Sequence, residues 1–183
     1  RVFGVRGFAS AKMTDIAREA RMSVGTLYNY FENKDDIISD LFRARGDECV
    51  ERMEAISTAE TDPVARLSAL IAACLGFIES HREVVQVFFR MGEDIERGAQ
   101  HVSGAAADCN RQRVHGILAR AIRAGINAGA LRRDVPAADV LAFVTGGING
   151  FVNAWCQREG RAGLARKAPV AVDLILRGAG FTP

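Results

Sequence analysis

Residues 12–31 read KMTDIAREARMSVGTLYNYF, and this stretch decides the fold of the N-terminal part. From Met13 to Ala20 the apolar positions recur at steps of three and four, which predicts a short amphipathic helix. Ser23 is a favourable N-cap, so a second short helix is predicted from Gly25 to Tyr30. Two such helices joined by a turn of three or four residues form a helix-turn-helix.

The second helix carries side chains suited to DNA, because the N-terminal end of such a helix enters the major groove. Thr26 offers a hydroxyl and a methyl group to a base edge, and Asn29 can bind a base edge or a phosphate. The hydroxyls of Tyr28 and Tyr30 suit phosphate oxygens, with Lys34 beside them at the start of the next helix. An alternative for Tyr28 is simple packing in a small three-helix core.

The segment from Phe3 to Leu41 resembles the N-terminal domain of the TetR family of transcriptional regulators. The matching residues are Gly7-Phe8, Ile16-Ala17, Gly25-Thr26-Leu27-Tyr28, Tyr30-Phe31 and Lys34. The resemblance implies a ligand-responsive repressor that binds double-stranded operator DNA as a homodimer. It also implies that the C-terminal helices bind a small apolar or amphipathic effector and form the dimer.

Three residues depart from the family pattern. Arg21 replaces the turn glycine, where a left-handed backbone costs a non-glycine residue roughly 1 kcal/mol. Lys12 replaces a small capping residue, which leaves Thr14 as a substitute cap, and Val24 replaces a frequent lysine. The predicted DNA-binding residues are Lys12, Thr14, Arg21, Ser23, Val24, Gly25, Thr26, Tyr28, Asn29, Tyr30 and Lys34.

The rest of the chain is also predicted to be helical, and the fold class is all-α. Three of the four prolines, Pro63, Pro136 and Pro169, stand where a helix can start. A polar hinge after a long helix, from about Asp35 to Ser57, divides the chain. We predict a helix-turn-helix domain over 1–57 and a larger antiparallel helical domain for effector binding and dimerisation over 58–183.

An apolar helix near the C-terminus is rich in glycine. Glycine inside a helix costs about 1 kcal/mol relative to alanine, and close approach of another helix is the usual compensation. We therefore predict a dimer seam on this helix and on the last one, from Pro169 to Arg177. Intramolecular packing or a ligand near the backbone is the alternative. The predicted seam residues are Phe143, Gly146, Gly147, Gly150, Phe151 and Trp155.

An effector pocket needs an apolar cavity with a few polar groups. Each candidate taken singly suits ordinary core packing as well. The predicted pocket residues are Phe77, His81, Phe88, Phe89, Met91, Cys109, His115 and Asn149.

Composition excludes several classes of protein. Four cysteines without a CxxC pair and three histidines without metal-ligand spacing predict a reduced cytoplasmic chain with no metal or cofactor. No apolar run approaches the roughly 18 residues that a membrane span needs. An enzyme that uses Glu79, His81 or Cys109 lacks a nucleophile–base pair at a recognisable spacing. The chain is therefore not expected to be an enzyme.

The net charge of +2 hides an uneven distribution. Residues 1–34 carry six Lys/Arg against three Asp/Glu, whereas residues 35–60 carry three against eight. The positive segment coincides with the helix-turn-helix, as binding to phosphates requires. A helical dimer that binds partners but not DNA is the remaining alternative, and a basic surface around Arg6, Lys12, Arg21 and Lys34 would argue against it.

Overall fold

The structure is a computed structural model that describes residues 1–87, 104–158 and 163–178. These ranges contain helices and no strand, which confirms the all-α prediction. The helices are α1 (Val2–Arg6), α2 (Met13–Glu19), α3 (Val24–Tyr28), α4 (Lys34–Ala59), α5 (Pro63–Ser80), α6 (Gly104–Asn127), α7 (Ala137–Gln157) and α8 (Ala168–Gly178). Residues 82–87 are also helical, and a 3-10 turn (Ala165–Lys167) leads into α8.

The helix starts follow the sequence signals closely. Pro63 is the first residue of α5, Pro136 is the N-cap of α7, and Pro169 lies in the first turn of α8. One prediction is wrong by two residues, since α3 ends at Tyr28 rather than at Tyr30. The chain turns after Tyr28 because Asn33 already caps the next helix, with its Oδ1 accepting the Asp36 N–H at 3.0 Å.

One compact unit comprises residues 1–46 together with 81–109. Its core gathers the buried side chains of α1, the following loop and the start of α4. The ring centroids of Phe3 and Phe8 are 5.4 Å apart, and Ile38 and Phe42 complete this cluster. Leu27 of α3 is buried as the helix-turn-helix pattern predicts. Ile16 of α2 packs against this core, and α3 in turn packs against α2.

The second compact unit comprises residues 47–80 and 110–183. α5 is its central helix and packs against α7 and α8. Within the described residues, α5 is the one helix long and apolar enough to cross a membrane by length and composition. Leu67, Leu70, Ile71 and Leu75 are fully buried in the protein, as expected for a core helix.

The boundary between the compact units falls inside α4, between residues 46 and 47. The predicted division into 1–57 and 58–183 follows the end of that helix instead, and it stays a prediction.

Within the second unit, two ion pairs tie α4 to α6. Asp47 pairs with Arg113, and seven residues further along both helices Glu54 pairs with Arg120. Equal spacing in the same direction means that the two helices run parallel here. Arg113 and Arg120 of α6 thus bind two carboxylates on one side of α4.

Candidate nucleic-acid interface

The recognition helix α3 begins with a fully formed cap. The Thr26 N–H donates to Ser23 Oγ at 3.0 Å, and the hydroxyls of the two residues lie 2.7 Å apart. This bond satisfies one of the free N–H groups of the first turn. The contact between the two hydroxyls holds the Thr26 side chain in one orientation, with its hydroxyl against Ser23.

The turn before α3 keeps the shape that its sequence puts in doubt. Arg21 has φ 56° and is the one non-glycine residue with positive φ in the described part of the chain. Its N–H donates to Arg18 O at 3.2 Å, and the Met22 N–H donates to Ala17 O at 2.9 Å. These two bonds define a Schellman motif, which normally places glycine where Arg21 stands. The altered turn that Arg21 suggests is therefore absent, and the residue takes the strained backbone instead.

The outer side of α3 is open to solvent. Tyr28 and Tyr30 are 52% and 72% exposed, which disfavours the alternative of a packed Tyr28. Gly25, Thr26 and Asn29 are exposed too, whereas Val24 is half-buried. Among the described residues the hydroxyls of both tyrosines and the amide of Asn29 have no partner in the protein.

In the part of the chain that the structure describes, nothing requires a glycine at position 25. A Cβ built at this position meets nothing of the protein nearer than Ser23 Oγ at 3.8 Å. Since an alanine there would favour the helix, the open space is best explained by something outside the protein that approaches the backbone. DNA in the major groove is such a neighbour, as the sequence predicts.

The cations of the N-terminal segment divide into paired and free ones. Arg6 binds Asp15 at 2.7 Å, so one residue of the predicted basic surface is neutralised. Lys12 and Arg21 are exposed, and their side chains carry no ion pair or hydrogen bond within the described residues. Lys12 is also the N-cap of α2 without a capping bond from its side chain, and Thr14, exposed in the first turn, supplies none there either.

Lys34 is engaged within the protein itself. Its Nζ donates to the carbonyl oxygens of Phe8 and Ala9, each at 2.9 Å, and lies 3.4 Å from that of Ala11. The ammonium also sits 4.8 Å from the centroid of the Phe8 ring. A cation at a helix start is unfavourable beside the helix dipole, so its presence there is the sequence signal for a local partner. The phosphate contact predicted for Lys34 stays a prediction.

The predicted pocket residues differ widely in exposure. Phe77 is buried, His81 and His115 are half-buried, and Cys109 and Asn149 are exposed. Phe88, Phe89 and Met91 lie outside the described residues. The pocket therefore stays a prediction.

The predicted seam residues divide between two sides of α7. Among the described residues nothing lies within 4 Å of a Cβ placed on Gly146 or Gly150, and Phe143 is 51% exposed. Gly147 points inward against Ile175 of α8, whose side chain would lie 3.0 Å from a Cβ at that position, so intramolecular packing explains it.

Trp155 is 4% exposed and belongs to the core of its own unit, while Phe151 is half-buried. Trp155 and Gly147 thus face the interior of this chain, and the dimer seam stays a prediction.

The structure shows the environment of two of the residues that were considered for catalysis, Glu79 and Cys109. Glu79 accepts the Ala165 N–H at 2.8 Å and so caps the turn that leads into α8. Cys109 is exposed. In the described part of the chain no three His, Cys, Asp or Glu side chains gather as metal ligands would.

An N-capped helix with exposed hydroxyl and amide groups, next to a turn with free cations, has the features that a DNA-reading surface requires. The fold and this surface define a helix-turn-helix DNA-binding protein. Residues 1–41 match the family model for bacterial regulatory proteins of the tetR family, and residues 60–179 match the tetracyclin repressor-like C-terminal domain. The chain belongs to the TetR family and is a sequence-specific DNA-binding transcriptional regulator.

Similar proteins include regulators from several bacteria. The fatty acid metabolism regulator protein of Bacillus subtilis is 21% identical over 97% of this chain and 89% of its own length. The transcriptional repressor KstR2 of Mycobacterium tuberculosis is 27% identical over 78% of this chain and 70% of its own. The crystal structure of FadR from Bacillus subtilis in complex with stearoyl-CoA has a TM-score of 0.83 at 20% identity, covering 97% of this chain and 93% of FadR.

Proposed function

We propose that this regulator represses transcription by binding a near-palindromic operator as a homodimer in the cytoplasm, with α3 of each subunit in the major groove. The observation that carries the proposal is the open face of α3, where Gly25 leaves room that the protein itself does not use. In a dimer of this kind the two recognition helices lie about 34–36 Å apart, one helical turn of DNA.

A mobility-shift assay on selected genomic fragments tests the DNA half of the proposal. Thr26→Ala and Asn29→Ala should relax sequence preference at one or two positions, at roughly 1–3 kcal/mol for each lost base contact. Arg132→Ala is a matched control, because Arg132 is exposed in the second unit and pairs with Asp134. If the control and both α3 variants show the same DNA sequence preference, α3 does not contact the bases that determine specificity.

The dimer half of the proposal rests on an apolar outward face formed by α7 and α8. Phe143, Val170 and Leu174 are each more than half exposed, an unusual state for large apolar side chains. Gly146 and Gly150 lie open on the same helix as Phe143 and allow the backbone of a second copy to come close.

Sedimentation velocity on the full chain tests the dimer. Leu174→Glu should shift the protein to a monomer and weaken operator binding, because both half-sites must then be bound independently. Val5→Glu, another exposed apolar position but outside the proposed face, is the control. A dimer that survives Leu174→Glu at low micromolar concentration would contradict this placement.

We further propose that the effector is amphipathic, with an apolar chain and an anionic head, of the acyl-CoA class. Support comes from FadR of Bacillus subtilis, which shares this fold and is complexed with stearoyl-CoA. Thermal-shift and mobility-shift assays with stearoyl-CoA, stearate and free CoA test the class, because a ligand of the native state raises its stability. Of the three compounds, only stearoyl-CoA should stabilise the protein and dissociate it from the operator. No response to any of the three would reject the class.

A further inference from the structure

Three sulfur atoms meet inside the second compact unit. Cys49 and Met53 lie one turn apart on α4, and Cys74 comes from α5. Cys49 Sγ is 4.0 Å from Met53 Sδ, and Cys74 Sγ is 3.6 Å from the same thioether sulfur. Met53 is 1% exposed and Cys74 6%, while Cys49 is half-buried and so connects the group to solvent.

Two of the three sulfur–sulfur distances, those from each thiol to Met53 Sδ, match three-coordinate binding of a soft metal ion. With metal–sulfur bonds of about 2.3 Å, three sulfurs around a trigonal ion lie roughly 4 Å apart. Thiolate and thioether ligands select Cu(I), whereas Zn²⁺ in structural sites needs four ligands from sulfur, imidazole or carboxylate. A cluster that meets this zinc requirement is lacking in the part of the chain that the structure describes.

The protonation state of the thiols sets how such an ion must bind. Burial raises the pKa of Cys74 to about 12. Burial also raises the pKa of Cys49 to about 11, against a lowering effect of the nearby Arg52. A metal ion that binds both cysteines as thiolates has to displace two protons. The product, one Cu(I) with two thiolates, carries a single negative charge, and the cation Arg52 lies near enough to Cys49 to interact with it electrostatically.

We propose that Cys49, Met53 and Cys74 form a binding site for one Cu(I) ion. Binding forms two Cu–thiolate bonds and one Cu–thioether bond, releases two protons to solvent and changes no oxidation state. The ion would link α4 to α5. Its three ligands are side chains that would otherwise be interpreted as ordinary apolar core residues.

Anaerobic Cu(I) titration against bathocuproine disulfonate tests the site. The full chain carrying Cys109→Ser and Cys156→Ser serves as the background, so that the other two thiols cannot contribute. We expect one equivalent of copper to be withheld from the chelator, and X-ray absorption to show three sulfurs at about 2.3 Å. No retained copper, or a scattering shell of nitrogen and oxygen, overturns the proposal.

Two variants in that background distinguish specific coordination by three sulfurs from non-specific binding of copper to a thiol. Cys49→Ser should abolish retention. Met53→Leu conserves volume, should fold normally and should weaken retention at least tenfold. Circular dichroism checks that both variants fold. Retention equal to that of the background protein in either folded variant overturns the three-sulfur site.

The pH dependence of copper retention provides a separate test. Since binding by two thiolates releases two protons, the apparent affinity for Cu(I) should rise about 100-fold per pH unit between pH 6 and 8. A rise of tenfold or less per unit contradicts ligation by both cysteines.

Discussion

Replacing Lys34 by methionine removes its ammonium and keeps an unbranched side chain of similar length. In the native protein the ammonium donates to the carbonyls of Phe8 and Ala9 at 2.9 Å and approaches that of Ala11 at 3.4 Å. These bonds join the start of α4 to the loop between α1 and α2. The substitution therefore asks whether Lys34 holds this loop or holds a phosphate.

The expected loss can be worked out from the contacts. Two short hydrogen bonds from a charged donor are worth about 1.5 kcal/mol each at the lower end of the usual range. The contact with the Phe8 ring adds about 0.5 kcal/mol, because Lys34 is partly exposed. Relief of the unfavourable helix dipole returns roughly 0.5 kcal/mol, and water restores part of the carbonyl bonding. A net loss of about 2 kcal/mol in the free energy of unfolding follows.

Urea unfolding followed by circular dichroism measures this loss, and mobility shift between 50 and 400 mM KCl measures the phosphate term. If Lys34 holds the loop, stability falls by about 2 kcal/mol and the slope of log affinity against log salt stays constant. A lysine that contacts phosphate gives the opposite pattern, with little change in stability and a slope reduced by about one per subunit. Lys12→Met, at an exposed position, is the matched control for the second pattern. Unchanged stability in Lys34→Met would refute the structural role.

Three further substitutions act within the helix-turn-helix. Gly25→Ala should raise stability by about 0.5–1 kcal/mol, because nothing in the protein blocks a Cβ there, yet weaken operator binding about tenfold or more; tighter or equal binding would remove the case for close DNA approach. Arg21→Gly relieves the strain of a positive φ, worth about 1–2 kcal/mol, but raises the conformational entropy of the unfolded state. Urea unfolding should therefore show a free energy of unfolding that is higher by about 0.5 kcal/mol. Arg21→Ala should show no such increase. Ser23→Ala removes the bond to the Thr26 N–H and should lower stability by about 1 kcal/mol, with a matching loss of operator affinity in the mobility shift; full stability would mean that the cap is replaceable.

The sequence predicts the helix-turn-helix well because its signals are local. The cap at Ser23, whose side chain accepts the Thr26 N–H in the structure, depends on residues within one turn. The partners of Lys34 lie 23 to 26 positions away in the chain, so no local pattern identifies them. The lysine at a helix start is a usable hint, but only the tertiary fold supplies the carbonyls.

Neighbouring glycines on α7 show a second limit of sequence reasoning. Gly146 and Gly147 are adjacent and equally favourable for close helix approach, yet one faces open space and the other faces Ile175. Successive residues on a helix differ by about 100° in direction, so the composition of a seam does not tell which glycine faces outward. For the same reason periodicity identifies apolar faces but does not tell which apolar residues, such as Phe77, border a cavity.

The net charge of the N-terminal segment does not show how many of its cations are free to bind phosphates, and the structure does. Of its six cations, Arg1 and Arg6 pair with carboxylates, Arg18 shares Asp15 with Arg6, and Lys34 binds backbone carbonyls. In the described residues this leaves two side chains, Lys12 and Arg21, ready for phosphates. A dimer would then neutralise about four phosphates with its free cations. The slope of log DNA affinity against log salt concentration should therefore be near −3.6. If all twelve cations of the dimer contacted phosphates, the slope would be near −11. A slope steeper than about −7 would mean that the internal pairs open on DNA. A slope near −4 would leave most of the affinity to the neutral donors of α3.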